Sequence, residues 1–524
     1  MVLQNGIKLA SSLIYANFAD LVGKVCDCLL RKGALTLPEL IRYTELPSQQ
    51  VKNCLLVLIQ HNCVLDYSVQ KEGGIGEQDK WVVHYAALFD NILHRMRFTK
   101  FLAMVAEELD KECKELFEGL VQHGRLSLEQ LILRAIPEPD QGNIALQDGI
   151  RASFVKLVDA HYVERCPDFK PSIPIPPQDG STSTARRGAK SSKLADQREK
   201  TQEQQAIAMA TCSEGRRFDI TMNYGTDVKS GARIEGDAPI SIGEKRKHEE
   251  IESEHDWEKK DLWRVNFDEF VRRLRHKACV TSVRSQLDEG AGTVLNAILE
   301  TTRRAEKKVK TEITDPLSIN TIYQEVINRE EGRTMDLEHV RTALVQLECR
   351  VEKEVYRVDL KNIIETAQNM EVESIVEKRY GEFACRIYRY LSRTGHLAET
   401  DKIADTTFLE KQDALKILYN LWENRYLEKE KIILSGPTQA QKMLWKVIKY
   451  PLWEIVLDEM HHAALNLNQR MVHELEQEHE ILQLPKEKRV GELGKRFERI
   501  RRVKILMESS LMKLDDAIML FHDF

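Results

Sequence analysis

The chain has no Cys-x-x-Cys. Its ten cysteines are scattered, and the nearest pair is Cys26-x-Cys28. Zinc ribbons and fingers need paired ligands at fixed spacing, so a structural zinc site of that kind is excluded. Thiols spread through apolar helical patterns pack as small hydrophobes and imply a reducing compartment. No apolar run approaches the roughly 20 residues a membrane span needs, so no membrane is expected among the partners. The start, MVLQNGIKLASSLI, has no basic stretch leading into a long apolar one and reads as mature protein.

Catalytic signatures are missing as well. Neither G-x-x-x-x-G-K-[ST] nor G-x-G-x-x-G occurs, so no phosphate cradle is encoded. His473-Glu474 is followed by His479, six residues after the first histidine and on another helix face, which excludes a zinc-protease helix. The His461-His462 pair reads as solvated or interfacial. Acidic pairs such as Glu249-Glu250 lie in polar tracts with no apolar wall to raise a pKa. The reading is a protein that is not an enzyme and needs no cofactor. The net charge of −6 excludes a chain-wide polycation, so any nucleic-acid binding must be local.

What is present is repetition. The 524 residues are too many for one core and imply several domains. In the stretch NCLLVLIQHNCVLDY and just before it, the anchors Val51, Leu55, Leu58 and Val64 step by 4, 3 and 6. The first two steps stay on one helix face, and the third crosses a turn into an extended segment. The same steps recur at Ile150, Phe154, Leu157 and Val163, and at Ala414, Leu418, Leu421 and Leu427. Val340, Leu344 and Leu347 form a fourth copy with a shorter exit. Upstream, Leu29-x-x-x-Gly33-x-Leu35 recurs as Leu120-x-x-x-Gly124-x-Leu126 and Leu391-x-x-x-Gly395-x-Leu397. Each is a helix ending at a glycine suited to the left-handed C′ position. Thr36, Ser127 and Thr400 then stand near the start of the next helix.

Each copy therefore reads helix, short strand, helix, turn, helix, strand, followed by a returning strand. That is the winged-helix arrangement. The expected fold is mainly α with small β-hairpins: winged helices over 5–86, 87–167, 256–365 and 366–450. Five prolines between Pro167 and Pro177 open a polar tract, so 168–255 is expected to be a disordered linker. In the last segment, 451–524, Leu493, Phe497, Ile500, Lys504, Met507, Leu511, Leu514, Ile518 and Phe521 step alternately by 4 and 3. Leu457, Met460, Ala464, Leu467 and Met471 do likewise before Pro485, which implies an antiparallel coiled-coil hairpin.

A DNA-reading winged helix carries basic and amide side chains on its third helix. SQQVKNCLLVLIQHN has one lysine, and EKQDALKILYNLWEN has two that acids offset. These helices are built to pack on protein. Two other segments are basic. Residues 264–284 hold six basic side chains against two acidic ones, among them Arg272, Arg273, Arg275 and Lys277. HRMRFTK holds Arg95, Arg97 and Lys100 around Phe98. These seven are the candidate contacts to DNA, with a solvated face or a salt-bridge surface as the other reading.

Three long stretches carry a family resemblance: QQVKNCLLVLIQHNCVLDYSV, FDEFVRRLRHKACVTSVRSQLD and VEKRYGEFACRIYRYL. Together with the tandem units, the mid-chain linker and the terminal hairpin, they resemble the winged-helix subunit of RNA polymerase III. That subunit is the largest of a three-member initiation subcomplex. The arrangement is also similar to the large subunit of TFIIE, but that factor has a zinc ribbon. The short exit of the third unit departs from the pattern. The resemblance implies a nuclear, non-catalytic subunit serving tRNA and 5S rRNA transcription. Its implied partners are a smaller winged-helix subunit, an acidic-tail subunit, the clamp of the largest subunit and TFIIIB-type factors. Non-specific contact with single-stranded or upstream promoter DNA is also implied. It makes Arg379, Tyr380, Arg386 and Tyr388, with Leu511 and Leu514 of the heptad run, candidates for protein docking. The other reading is a free-standing winged-helix regulator or a TFIIE-like initiation factor, which would need duplex binding by the isolated chain.

Overall fold

The computed structural model describes residues 3–71, 80–136, 144–167, 171–174, 201–210, 214–220, 261–306, 308–352, 355–433, 441–483, 485 and 490–524. Among these the chain is mainly helical with small sheets. The elements run α1 (Gln4–Asn17), α2 (Asp20–Lys32), β1 (Leu35–Thr36), α3 (Leu37–Thr44), α4 (Ser48–Gln60), β2 (Val64–Lys71) and β3 (Lys80–Ala87). Then come α5 (Phe89–Leu93), a 3-10 turn (His94–Arg97), α6 (Phe98–Glu108), α7 (Lys111–His123), β4 (Leu126–Ser127), α8 (Leu128–Ala135), α9 (Ile144–Asp159), β5 (Val163–Arg165) and β6 (Ser172–Ile173). α10 (201–209), α11 (Glu214–Arg217), β7 (Leu262–Val265), α12 (Phe267–Gln286) and α13 (Glu289–Thr302) follow. Next are β8 (Leu317–Ser318), α14 (Ile319–Asn328), α15 (Leu337–Gln346), β9 (Arg350–Glu352), β10 (Val355–Arg357) and α16 (Leu360–Tyr380). The chain continues with α17 (Glu382–Thr394), β11 (Ala398–Glu399), α18 (Thr400–Thr407), α19 (Lys411–Glu423), β12 (Glu428–Ile433) and β13 (Gln441–Lys446). It ends with α20 (Lys449–Gln477), α21 (His479–Leu482) and α22 (Glu492–His522).

The third helices α4, α9, α15 and α19 end in one and the same device. Asn62, His161, Glu348 and Arg425 each take a positive φ between 50° and 62°. The next residue donates its N–H to the carbonyl five residues back, Cys63 to Leu58, Tyr162 to Leu157, Cys349 to Leu344 and Tyr426 to Leu421. The positive-φ residue itself bonds to Ile59, Val158, Val345 or Trp422. This is a Schellman closure, which satisfies the orphan carbonyls of the helix end and turns the chain into a strand. The short exit read for the third segment is thereby corrected. Leu344, not Leu347, is the counterpart of Leu58, so the register of that helix is shifted by three and its exit has the common geometry.

The glycine signals behave as their spacing requires. Gly33, Gly124 and Gly395 all have φ between 68° and 86° and donate to Leu29, Leu120 and Leu391. A side chain at such a φ is disfavoured, which is why glycine stands there. Thr36 and Ser127 each make a capping box with Glu39 and Gln130. Thr400 does not cap α18, where Glu399 precedes the helix. Its hydroxyl instead accepts from the buried Trp445 indole at 2.9 Å.

The described residues form two compact bodies, one within 1–66, 82–101 and 267–524, the other within 67–81 and 102–266. In the first body, Leu35 pairs with Tyr85, and two three-stranded sheets run β8-β10-β9 and β11-β13-β12. One continuous core joins α1, α2 and α4 (Leu13, Val25, Leu58) to α17 and α19 (Tyr388, Leu418) and to α20 and α22 (Met460, Ile518). α1 lies on α20, where Asn5 bonds to Asp458 through both its backbone and its side chain. α20 packs along α22. A separate core of α12–α15 and the start of α16 holds Leu295, Ile298, Val340 and Leu344.

In the second body, α7, α8 and α9 are closed by a sheet of order β4-β7-β5. β7 was expected to open the segment starting at 256. It instead pairs with Ser127 and Val163 and sends Trp263 edge-on against Phe154 at 5.1 Å. The returning strand of this segment thus arrives from beyond the proline-rich tract. Parts of that tract are ordered. Ser172 and Ile173 pair with Ser68 and Val69, Phe218 stacks on His161 at 3.9 Å, and Ala206 and Ala210 are buried. The rest of 168–255, where the linker expectation falls, lies outside the described residues.

Candidate docking site

The basic segments are folded inward. Arg97 is fully buried: its Nε donates to Asp515 at 2.8 Å, and its Nη1 lies 2.7 Å from Asp523 and 3.0 Å from His94 Nδ1. Burial opposes the Arg97 charge, but Asp523 and Asp515 outweigh it and raise its pKa. Burial, helped by Arg97, holds His94 far below its ordinary value, so this imidazole is neutral. Lys100 reaches Asp515 at 2.6 Å and Asp516 at 2.7 Å. The Arg95 guanidinium lies over the Phe18 ring at 4.6 Å, and burial lowers its pKa. In α12, Glu269 takes Arg272 at 2.5 Å and Arg273 at 2.8 Å. Burial, with Arg303 near, lowers Arg273 to about 10. Arg275 donates to the carbonyls of Val309 and Thr311.

Six of the seven candidate DNA contacts therefore hold the fold. A guanidinium inside a carboxylate cage has no open face for a phosphate. Lys277 alone of the seven is exposed.

The docking candidates divide as well. Tyr388 is fully buried and belongs to the core. Tyr380 packs edge-on against Tyr426 at 5.5 Å, and Arg379 bonds to Glu459 at 2.6 Å. Leu511 and Leu514 are partly buried against the first core. Arg386 is half-exposed, bonds to Glu382 at 2.6 Å and faces a surface cleft of about 530 Å³. Of the histidine pair read as solvated or interfacial, His461 is buried and its pKa drops to about 4 through burial; His462 is exposed. Among the described residues, no group of three or more His, Cys, Asp or Glu side chains could hold a metal ion. No described helix is long and apolar enough to cross a membrane.

The outer faces of the third helices are the opposite of a DNA reader's. α4 exposes Ser48, Gln49, Gln50, Lys52, Asn53 and Leu56, the last 65% exposed. α9 exposes Ile144 and Leu146, and α15 exposes Val345. α19 exposes Tyr419 and Trp422, with Lys429 Nζ 3.2 Å from the centre of the indole. Lys411 and Lys416 beside them are paired with Asp401 and Asp413. Each third helix thus offers a large apolar side chain and little net charge. Periodicity hid these residues, because a side chain off the buried stripe leaves no repeating signal.

Helix–turn–helix segments closed by small sheets, with apolar outer faces, define a winged-helix protein suited to binding other proteins. The comparisons narrow the class. The helix-turn-helix model of RNA polymerase III subunit RPC82 matches residues 8–69, the RNA polymerase III subunit RPC82 model matches 152–354, and the C-terminal winged-helix model of POLR3C matches 372–445. The chain is 22% identical to the DNA-directed RNA polymerase III subunit RPC3 of Danio rerio over 91% of its length and 86% of the relative's. For the human protein of that name the figures are 23%, 82% and 76%. For that of Dictyostelium discoideum they are 20%, 99% and 99%. The chain belongs to the RNA polymerase III subunit RPC3 (RPC82) family.

Proposed function

We infer that this chain is a non-catalytic subunit of DNA-directed RNA polymerase III. The observation that carries the docking role is the set of exposed apolar side chains on the third helices, where a DNA reader would place cations. Four winged-helix units are proposed: 5–86; 87–167 completed by Leu262–Val265; 267–365; and 366–450. α20 and α22 form an antiparallel coiled-coil hairpin over 451–524 in this reading. The single core shared by the first unit, the fourth unit and α20–α22 supports one rigid docking block.

The finer assignments are proposals of the same reading. The block docks on the clamp of the largest subunit and meets the smaller winged-helix subunit and the acidic-tail subunit. It serves recruitment by TFIIIB-type factors and promoter opening in the nucleus. Non-specific promoter DNA contact falls to exposed cations such as Lys277, because the buried arginines are committed elsewhere. A free-standing regulator is disfavoured by the uncharged third helices. Tandem affinity purification of the tagged chain from its own cells is expected to return the polymerase subunits in equal amounts. Recovery of the chain alone would refute the assignment.

A further inference from the structure

The cleft beside Arg386 is walled by α17 and the end of α18. Its lining is Arg386, Arg389 and Arg393 with Tyr390, Phe408 and the threonines 394, 406 and 407. None of these residues comes from the third helix α19. The arginines stand at steps of 3 and 4, so they share one face of α17. Arg386 and Arg389 each keep one carboxylate neighbour, Glu382 and Glu373, and both remain nearly half-exposed. One such bond leaves most of the five guanidinium donors open. Arg393 is exposed. The three threonine hydroxyls are bound to carbonyls of their own helices, at Tyr390, Lys402 and Ile403. The arginines are therefore the polar recognisers of the cleft.

Phe408 is the second observation. It occupies the turn between α18 and α19 at φ 56° and is 91% exposed, the highest exposure of any large apolar side chain described. The same turn in the first unit, between α3 and α4, holds Glu45, also at φ 56°. In both, the next residue is a leucine, Leu46 or Leu409, packed against the core. The position thus has a fixed backbone and a free side chain. A solvated turn favours a charged residue there, as Glu45 shows. A phenyl ring in the left-handed region, in water, gains nothing from the fold of this chain.

We propose that this cleft seats an acidic segment of another polymerase subunit, with carboxylates on Arg386, Arg389 and Arg393 and one large apolar side chain against Phe408 and Tyr390. Charge complementarity selects the acid, and the apolar wall selects a peptide over a bare phosphate chain. The inference rests on the reading of the chain as a polymerase subunit.

The test puts the photo-crosslinking residue p-benzoylphenylalanine in place of Phe408 in the tagged full chain, and irradiates the complex purified from cells. The expected result is a crosslink that mass spectrometry maps to a segment with net negative charge and an aromatic or aliphatic residue. Arg386→Gln with Arg393→Gln should cut its yield about fivefold or more, without loss of the other subunits. A crosslink to nucleic acid, to a basic or neutral segment, or to nothing while the polymerase subunits still co-purify overturns the inference alone. Absence of the polymerase overturns the reading beneath it.

Discussion

Arg97 and Arg393 lie in helical runs of similar basic composition and have opposite fates. Arg97, with Lys100 and with Arg272 and Arg273 of α12, is enclosed by Asp515, Asp523, Glu269 and Glu306. Arg393, with Arg386 and Arg389, faces an open cleft. The difference lies in what packs opposite. The 3-10 turn meets the end of α22, more than 400 residues away in sequence, whereas the exposed edge of α17 meets water. A basic run therefore reports a binding surface only after the carboxylates of the rest of the chain have been placed.

Breaking the buried side should give the largest effect. Arg97→Met leaves Asp523 inside without its cation and Asp515 with Lys100 alone, and urea denaturation should show a loss of about 3–5 kcal/mol. A loss below about 1 kcal/mol would mean that the pair is hydrated and the contrast with Arg393 is false.

The buried side also has a pH signature. Burial lowers the folded pKa of His461 to about 4, against an ordinary value of 6.5. The unfolded chain then takes the proton first. This contribution is complete above pH 6.5 and is lost as pH falls toward 4, by up to about 3 kcal/mol. Denaturation midpoints between pH 7 and 4.5 should fall more steeply for the wild type than for His461→Gln, and equal slopes would exclude the mechanism.

The smallest effect belongs to the exposed side. Arg393→Gln or Lys277→Glu should change stability by less than about 0.5 kcal/mol in the same assay. A larger loss by either would place that residue among the internal pairs.

Much of the architecture was legible. The 4, 3, 6 anchors located the third helices, and the glycines at 33, 124 and 395 located the ends of the first helices, because both signals are local. The misreadings have one cause. The returning strand of the segment 87–167, Leu262–Val265, lies about a hundred residues beyond its partner Val163, and no local pattern connects them. The third segment was read out of register because Leu344 and Leu347 are both buried and either fits a 3.6-residue stripe. The carboxylates that occupy the basic segments are equally remote or, like Glu269, give no sign of being buried. Phe408 was passed over because one aromatic in a polar turn has no period; its meaning emerged only beside Glu45.

The helix ends, the repeated turn and the apolar stripes are written in the order of the residues, since hydrogen bonding and burial within a few residues dictate them. Which charges are spent and which are free is settled once the chain has folded. That depends on which carboxylates approach across hundreds of residues, and whether water reaches the pair once they do.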